Sequence, residues 1–138
     1  MYLESHRNFI KKCYEEYKKI GYVKCPAFGY EKVYFNRHGF RHLIRKGKKF
    51  REINEQIERL NLLKYASMVI DSSKHFKDYN KNKMLAIKDQ DESADFWSFI
   101  KIHNNVKIIA VVRQIKNGPK HFFSIMYKKH KRPRRVFP

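Results

Sequence analysis

The C-terminal third of the sequence contains three consecutive apolar stretches, and these constrain the fold more than any other feature. The stretches are Phe96–His103, Val106–Ile115 and His121–Tyr127. Their lengths and their β-branched and aromatic residues are typical of strands. The Asn117-Gly118 pair between the last two stretches is a strong signal for a hairpin. The sequence therefore predicts an antiparallel meander in this part of the chain.

Apolar residues recur at helical spacing in two segments nearer the N-terminus. Residues 2–20 carry them on one face, and Gly21 follows as a C-terminal cap. Residues 51–71 carry them from Ile53 to Ile70 and keep their glutamates on the other side. Both segments are predicted to be amphipathic helices.

Shorter elements are predicted around these two helices. Lys32–Asn36 is predicted to be a strand, and Asn36 can cap a short helix that runs to residue 45 or 46 and ends at Gly47. Residues 22–31 contain proline and glycine and are predicted to be a connection. Residues 72–93 are polar and are predicted to be a loop with a brief strand at Met84–Ile87.

Helices followed by a run of strands predict an α+β fold rather than a doubly wound α/β fold. We expect N-terminal helices packed on a C-terminal antiparallel β-sheet, the meander. A chain of 138 residues is long enough for a single domain.

The chain carries a large excess of positive charge. Lys and Arg number 32 against 13 Asp and Glu, which gives a formal net charge of +19. Aromatic residues make up 15%, too many for a disordered basic tail. Charge on this scale opposes compaction unless a polyanion offsets it, and nucleic acid is the first candidate. An anionic membrane, an acidic protein, and a lysine-rich protein with no polyanionic partner are the alternatives.

The sequence favours a cytoplasmic protein. It has no run of about 18 apolar residues that could form a transmembrane helix, and its N-terminus lacks the apolar region of a signal peptide. Two cysteines, Cys13 and Cys25, are too few for a disulfide scaffold or a four-cysteine zinc site. We therefore expect a reducing compartment and no membrane partner.

The turn of the predicted hairpin decides which polar residues share a face. A loop of two or four residues would place Arg113 opposite Phe122 and Val111 opposite Ser124. A loop of odd length would reverse the grouping. With the even loop, one face would carry Arg113, Lys120, Ser124 and Lys128, and the other face His121 and Tyr127.

Arg113 is unusual because it ends an almost wholly apolar strand, KIIAVV. An arginine in this position either extends to solvent or points into a functional site. Ser124, within FFSIM, is open to a similar pair of interpretations, a packing choice or a functional hydroxyl.

The short helix RHGFRHLIRKGKK groups imidazoles with guanidiniums. His38 and His42 are four residues apart and stack on one flank, and Arg45 follows three residues later. Two histidines at this spacing also suit a metal ion. No carboxylate lies nearby in the sequence, however, and the arginines would repel a cation. A phosphate-binding face and a catalytic face are both open interpretations.

These residue types suit the cleavage of RNA by its own 2′-hydroxyl. That reaction needs a base for the hydroxyl proton, a cation for the charge that develops on phosphorus, and an acid for the leaving oxygen. Histidine can serve as base or acid, and arginine or lysine can stabilise the charge. The scarcity of carboxylates disfavours a two-metal nuclease, so we expect no metal and no other cofactor.

Residues 32–129 resemble the barnase–EndoU–colicin–RelE superfamily of ribonucleases, in its phage- and mobile-element-associated branch. The resemblance rests on a strand, GFRHLIRKG, a long helix, and KIIAVVRQIKNGPKHFFSIMYKK. It implies a metal-independent endoribonuclease, often a toxin countered by an antitoxin or immunity protein. His42 matches the helical histidine, Arg113 the basic residue that closes the central strand, and Ser124 the hydroxyl of the last strand.

The leading interpretation is therefore a toxin-like endoribonuclease. His42 would act as general acid or base with His38 as its partner, Arg113 would hold the scissile phosphate, and Ser124 would orient it. Residues 1–31 would form an N-terminal helix and connection, residues 32–129 the nuclease domain, and residues 130–138 a basic tail. The residues predicted to bind RNA are Arg41, Arg45, Lys46, Lys120, Lys128, Arg134 and Arg135. Aromatic residues that could stack on bases, or simply pack in the core, are Trp97, Phe122 and Tyr127.

The expected partners are RNA, in the form of tRNA, mRNA or ribosome-bound RNA, and an acidic antitoxin or immunity protein. Two other functional classes are open. A non-catalytic RNA- or DNA-binding module would use the same basic face and bind in a salt-sensitive way without cleavage. An interaction protein of a phage or mobile element, such as an inhibitor of a host factor, would fold without affinity for nucleic acid.

Overall fold

A computed structural model describes residues 3–87 and 90–129, with side chains described for residues 3–81 and 93–128. The helices are α1, Glu4–Lys18; α2, Arg37–Ile44; and α3, Ile53–Asp71. The strands are β1, Tyr22–Cys25; β2, Glu31–Tyr34; β3, Arg45–Lys46; β4, Lys49–Phe50; β5, Asp78–Ile87; β6, Gln90–His103; β7, Val106–Ile115; and β8, His121–Lys129.

Six of these strands form one mixed sheet in the order β1-β2-β8-β7-β6-β5. Strands β5 to β8 make the predicted antiparallel meander. The β1–β2 hairpin is added beside β8, and β2 runs parallel to β8 through the pair Tyr34 and His121. The α+β class is therefore confirmed, with an N-terminal hairpin in the sheet that the sequence analysis did not predict.

The core lies between α3 and one face of this sheet, which we call the core face. Buried residues of α3 meet buried residues of β6, β7 and β8 there, and Tyr17 of α1 joins them. We call the opposite face of the sheet the outer face. The principal buried side chains are Leu60, Leu63, Val69 and Ile70 from α3 and Phe99, Ile108, Val112, Phe122 and Ile125 from the sheet.

Two predictions about the polar segments are wrong, and both concern strands at the sheet edges. Residues 22–31 are not only a connection, because they contain β1 and a short 3-10 helix, Pro26–Phe28. Residues 72–93 contain β5, a strand of ten residues, and the start of β6. An edge strand is hydrogen-bonded to a neighbouring strand on one side only, and it often carries charged side chains. Its sequence therefore lacks the apolar run that predicts a central strand.

The short helix begins as predicted and ends early. Asn36 caps α2 by accepting a hydrogen bond from the backbone N–H of Gly39 at 3.3 Å. The helix stops at Ile44, and Gly47 lies instead in the turn between β3 and β4, where its φ of 64° suits glycine. The N-terminal and long helices fall within the predicted segments.

A β-bulge at Phe123 changes the predicted register of the last hairpin. Val111 lies opposite Ser124 as predicted, but Arg113 lies opposite His121 and not opposite Phe122. The bulge inserts one extra residue into β8, so the side chains beyond it exchange faces. As a result His121 shares the outer face with Arg113, as an odd loop would give, and Lys120 leaves it.

Gly39 allows α2 to lie directly on β8. A Cβ atom at this position would collide with the carbonyl oxygen of Phe122 and would lie 2.8 Å from its ring carbon Cδ2. Because the obstacle is backbone, a side chain would force the helix away from the strand. This close approach brings the histidines of α2 to the bulge.

The structure bears only in part on the predicted domain division, the basic tail and the absence of a membrane helix. The β1–β2 hairpin spans the predicted division between residues 31 and 32. The basic tail, residues 130–138, with Arg134 and Arg135, lies outside the described residues. None of the helices in the described part of the chain is long and apolar enough to cross a membrane.

Candidate functional site

The ring of Phe123 joins the two sequence segments that were predicted to carry chemistry. The imidazole of His42 stacks on it with ring centroids 4.1 Å apart. The guanidinium carbon of Arg113 lies 4.5 Å from the centre of the same ring, and Phe96 meets its edge. Helix α2 and strand β7 thus supply His42 and Arg113 to one place because the bulge of β8 presents Phe123 between them.

His121 is a second histidine in direct contact with Arg113. The Nε of Arg113 donates to Nε2 of His121 at 2.9 Å. Guanidinium nitrogens can only donate, so Nε2 of this imidazole must be the acceptor and the ring must be neutral. The ring of His38, at the exposed start of α2, lies 6.5 Å from His121, which places it at the rim of the same group.

Arg51, two residues before α3, holds His42 in position. Its Nε donates to the carbonyl oxygen of His42 at 2.9 Å, and its Nη2 lies 3.2 Å from Nε2 of the imidazole. The third contact is from Nη1 to a carboxylate oxygen of Glu55 at 2.7 Å. By the same donor argument, Nε2 of His42 is an acceptor and this imidazole is also neutral.

Arg59 continues this row along α3 to the edge of β8. It forms an ion pair with Glu55 at 3.4 Å, so one carboxylate is shared by two arginines. Its Nη1 donates to the hydroxyl of Ser124 at 2.8 Å and to the carbonyl of Ile125 at 3.2 Å. Ser124 is 2% exposed, so its hydroxyl faces Arg59 and not solvent.

We call the three arginines Arg51, Arg59 and Arg113, with His42, His121 and Phe123, the cationic cluster. Glu55 compensates only the first two arginines. Among the described residues, no carboxylate lies within 4 Å of Arg113, whose contacts are the neutral His121 and the ring of Phe123. A half-buried cation without a counter-ion is stabilised when an anion binds to it, so Arg113 is a candidate anion-binding group.

Burial and neighbouring cations hold both histidines neutral. Burial, followed by the charges of Arg51, Arg59, Arg113 and Lys46, lowers the pKa of His42 to about 4. Burial, followed by the charge of Arg113, lowers the pKa of His121 to about 4. Burial also lowers the pKa of Arg113 from its usual high value. An anion bound in the cluster would oppose the coulombic part of these shifts and raise both imidazole pKa values.

We expect the free energy of unfolding to fall as the pH drops from about 7 to 5. Unfolded histidine titrates near 6.5 and these two folded histidines near 4, so the unfolded chain binds more protons in that range. The loss should be on the order of 2 kcal/mol in total after allowance for solvent screening. Urea unfolding at the two pH values measures it.

The matched controls for this prediction are histidine variants. Replacing both His42 and His121 with glutamine should remove most of the pH dependence, whereas His75→Gln, at an exposed position, should keep it. Equal pH dependence in the double variant and the parent protein would contradict the assignment.

The basic residues predicted to bind RNA divide into two groups. Arg41, Lys46 and Lys128 are exposed, and Lys46 acts electrostatically on His42. The guanidinium of Arg45 lies 4.2 Å from the centre of the Phe50 ring, and its buried Nε has no hydrogen-bond partner among the described residues. Lys120 is on the core face, where it binds Glu31 at 2.9 Å and contacts Phe28 and Trp97, because the bulge reverses its predicted orientation.

The aromatic residues that were predicted as candidates for stacking on RNA bases make other contacts within the protein. Phe122 and Trp97 are buried in the core. The hydroxyl of Tyr127 donates to Glu58 of α3 at 2.6 Å. The aromatic ring within the cationic cluster is instead Phe123, and Phe96 packs against it.

Arg51, Glu55 and Arg59, in and just before α3, and the role of the bulge were not predicted from the sequence. Arg51, Glu55 and Arg59 are spaced four residues apart, a pattern that places them on one helix face and could have indicated an ion-pair row. The positions of His121 and Phe123 could not be predicted in this way, because the apolar pattern of β8 does not indicate a one-residue bulge. In the described part of the chain, no three His, Cys, Asp or Glu side chains are grouped so as to hold a metal ion.

Comparison of the chain with protein-family models, with curated protein sequences and with solved structures gives no match. The family resemblance of residues 32–129 therefore stays a prediction.

Proposed function

We propose that this protein is a toxin-like, metal-independent endoribonuclease that cleaves RNA by attack of the 2′-hydroxyl on the adjacent phosphate. The observation that carries the proposal is the position of Arg113. Its guanidinium has no carboxylate within 4 Å among the described residues and lies between His121 and the ring that His42 covers. A phosphodiester is the anion that this charge and these neighbours suit.

Arg113 would hold the scissile phosphate and stabilise the charge that develops on it. Because its Nε now donates to a neutral imidazole, a phosphate oxygen would compete for that N–H as a stronger, charged acceptor. Displacement would release Nε2 of His121 beside the bound phosphate. A neutral imidazole in that position can accept the proton of the attacking hydroxyl.

His42 would become the general acid once substrate is bound. Its imidazole is neutral in the free protein because burial and cations lower its pKa to about 4. The phosphodiester charge offsets those cations, so the imidazole takes up a proton and can pass it to the leaving 5′-oxygen. Ser124, buried against Arg59, would position that arginine and not touch the phosphate.

A second function is favoured by one observation. In both histidines Nε2 already accepts a hydrogen bond from an arginine, so neither ring has that atom free in the protein without RNA. A non-catalytic RNA-binding module would keep these bonds and use the arginines and exposed lysines alone. Such a module would bind RNA tightly at low salt and leave it intact.

The two functions are separated by incubation with total RNA and tRNA in EDTA. Ribonuclease activity predicts discrete fragments that end in 2′,3′-cyclic phosphate, and DNA of the same sequence should stay uncut because it lacks the attacking hydroxyl. His42→Ala should slow cleavage by at least about 10²-fold, the low end of the effect of a general acid. The matched variant His75→Ala should not.

Intact RNA together with a salt-sensitive mobility shift would favour the binding module and reject the nuclease for these substrates. The parent protein should also be tested with ribosomes, since ribosome-bound RNA is one of the proposed substrates. The reduced thiols of Cys13 and Cys25 are consistent with action in the cytoplasm. An acidic antitoxin or immunity protein is the inhibitor that the charge of +19 suits.

A further inference from the structure

One side of the β1–β2 hairpin carries only tyrosines and lysines. Tyr22 pairs with Tyr34 and Lys24 with Lys32 across the two strands, and all four side chains are exposed. We call these four residues the Tyr–Lys plate. The residues between them face the other way, where Cys25 and Val33 are buried in the core. The plate therefore lies on the outer face of the sheet.

The plate is in register with Arg113. Tyr34 pairs with His121, and His121 pairs with Arg113. Paired residues of neighbouring strands share a face, so one row crosses the sheet from the plate to the cationic cluster. With strands about 4.8 Å apart, Tyr34 is roughly 10 Å and Tyr22 roughly 14 Å from Arg113 along this row. In order, the row is Tyr22, Tyr34, His121, Arg113 and Phe96.

The two lysines of the plate repel each other across the strand pair. Lys24 and Lys32 are directly opposite, an arrangement that destabilises a strand pair. Among the described residues, no carboxylate lies within 4 Å of either ammonium group. The contact that Lys32 makes is with the ring of Tyr22, 4.6 Å from its Nζ. An anion placed over these lysines would remove the repulsion.

The tyrosines of the plate offer aromatic surface to a ligand. Tyr22 is 45% exposed and Tyr34 is 38% exposed. Their ring centres are 5.9 Å apart and their planes are inclined by 57°, so the rings are not stacked on each other. Exposed aromatic rings interleaved with lysines are the arrangement with which proteins bind single-stranded nucleic acid, through stacking and phosphate contacts.

We propose that the Tyr–Lys plate binds the single-stranded RNA next to the cleaved bond. Bases stack on Tyr22 and Tyr34, and backbone phosphates lie beside Lys24 and Lys32. This inference rests on the proposed function, because the row connects the plate to the scissile phosphate at Arg113. It restricts the substrate class to single strands, since a duplex keeps its bases paired and stacked away from such a surface.

The test measures binding separately from cleavage. The probe is a fluorescein-labelled 12-nucleotide RNA without self-pairing, fully 2′-O-methylated so that no hydroxyl can attack, in EDTA. Fluorescence anisotropy should show roughly tenfold weaker binding for Tyr22→Ala and for Tyr34→Ala, the effect of losing one stacked base. The Phe variants at the same positions keep the ring and should bind within about twofold of the parent.

Salt titration tests the lysines. The double variant Lys24→Gln, Lys32→Gln should reduce the slope of log Kd against log salt by about 1.4, which corresponds to two phosphates on a single strand. Lys12→Gln, Lys64→Gln is the matched control, because those lysines line the groove between α1 and α3. The control should leave the slope unchanged.

Three outcomes are distinguishable. Weaker binding of the Ala variants, with unchanged cleavage of a dinucleotide too short to reach the plate, supports the inference. Equal binding of the Ala variants and the parent overturns it, whether or not the parent cleaves RNA. If the parent itself fails to bind the probe, both the plate and RNA binding by the cationic cluster are rejected.

Discussion

Arg113→Gln should lower kcat for RNA cleavage by about 10³-fold, with a much smaller change in KM. Arg113 is half-buried and has no carboxylate within 4 Å in the part of the chain that the structure describes, so its charge is available to the phosphate. Stabilisation of charge that develops only in the transition state acts on kcat, and losing one such group costs roughly 10²- to 10³-fold. Single-turnover cleavage of a labelled RNA in EDTA measures the effect.

The same substitution should leave the free energy of unfolding unchanged or raise it. A guanidinium that is buried without a counter-ion is costly to the folded state, and glutamine removes that cost while retaining a donor for His121. Loss of activity with retained stability is the signature of a functional residue held at the expense of stability. Arg7→Gln, at an exposed position in α1, is the matched control and should change neither quantity.

Two results would contradict this role for Arg113. Retention of full cleavage by Arg113→Gln would show that another group holds the phosphate. A loss of activity that parallels a large loss of stability would show that the arginine acts through the fold. Arg113→Lys adds a further test, because it keeps the charge without the planar fork and should recover only part of the rate.

The sequence predicted the elements whose apolar pattern is regular. Strand β7 has the predicted bounds, Val106–Ile115, because its apolar run is continuous and central in the sheet. Helix α3 is predicted within two residues because its apolar residues recur at helical spacing along its length, and Leu60, Leu63 and Ile70 of that series are buried. Strand β1 was missed and β5 was predicted only over its last part, Met84–Ile87, because both strands lie at the edges of the sheet, where polar residues are tolerated.

The candidate site was predicted only in part, for a different physical reason. His42 and Arg113 were selected by residue type and position, and the structure brings both to Phe123. The residues that contact His42 and Arg113, and that lower the pKa of His42, come from distant segments of the chain. Arg59 and Ser124 are 65 residues apart, and no local pattern reports such a contact. His121 joined the group through the bulge, which reverses the alternation on which the prediction relied.

Arg51→Met should destabilise the protein by about 3 kcal/mol and raise the pKa of His42. Arg51 is buried and makes three hydrogen bonds, two of them to His42 and one to Glu55. Methionine fills the space but leaves the carbonyl of His42 without its donor and removes one of the two cations on Glu55. Breaking a buried, charge-assisted network of this kind typically costs 3–5 kcal/mol, and the exposure of Glu55 places this case at about the lower value.

The pKa change has a definite sign. The charge of Arg51 is the largest coulombic cause that lowers the pKa of His42, so removing it should move that pKa up from about 4 toward 6.5. An NMR titration of His42 measures the shift, and urea unfolding at pH 7.5 measures the stability. Arg45→Met is the matched control, since Arg45 contacts the ring of Phe50 and its buried Nε has no hydrogen-bond partner within the described ranges. It should be nearly neutral in stability, and an equal loss in both variants would mean that Arg51 contributes packing alone and does not hold His42.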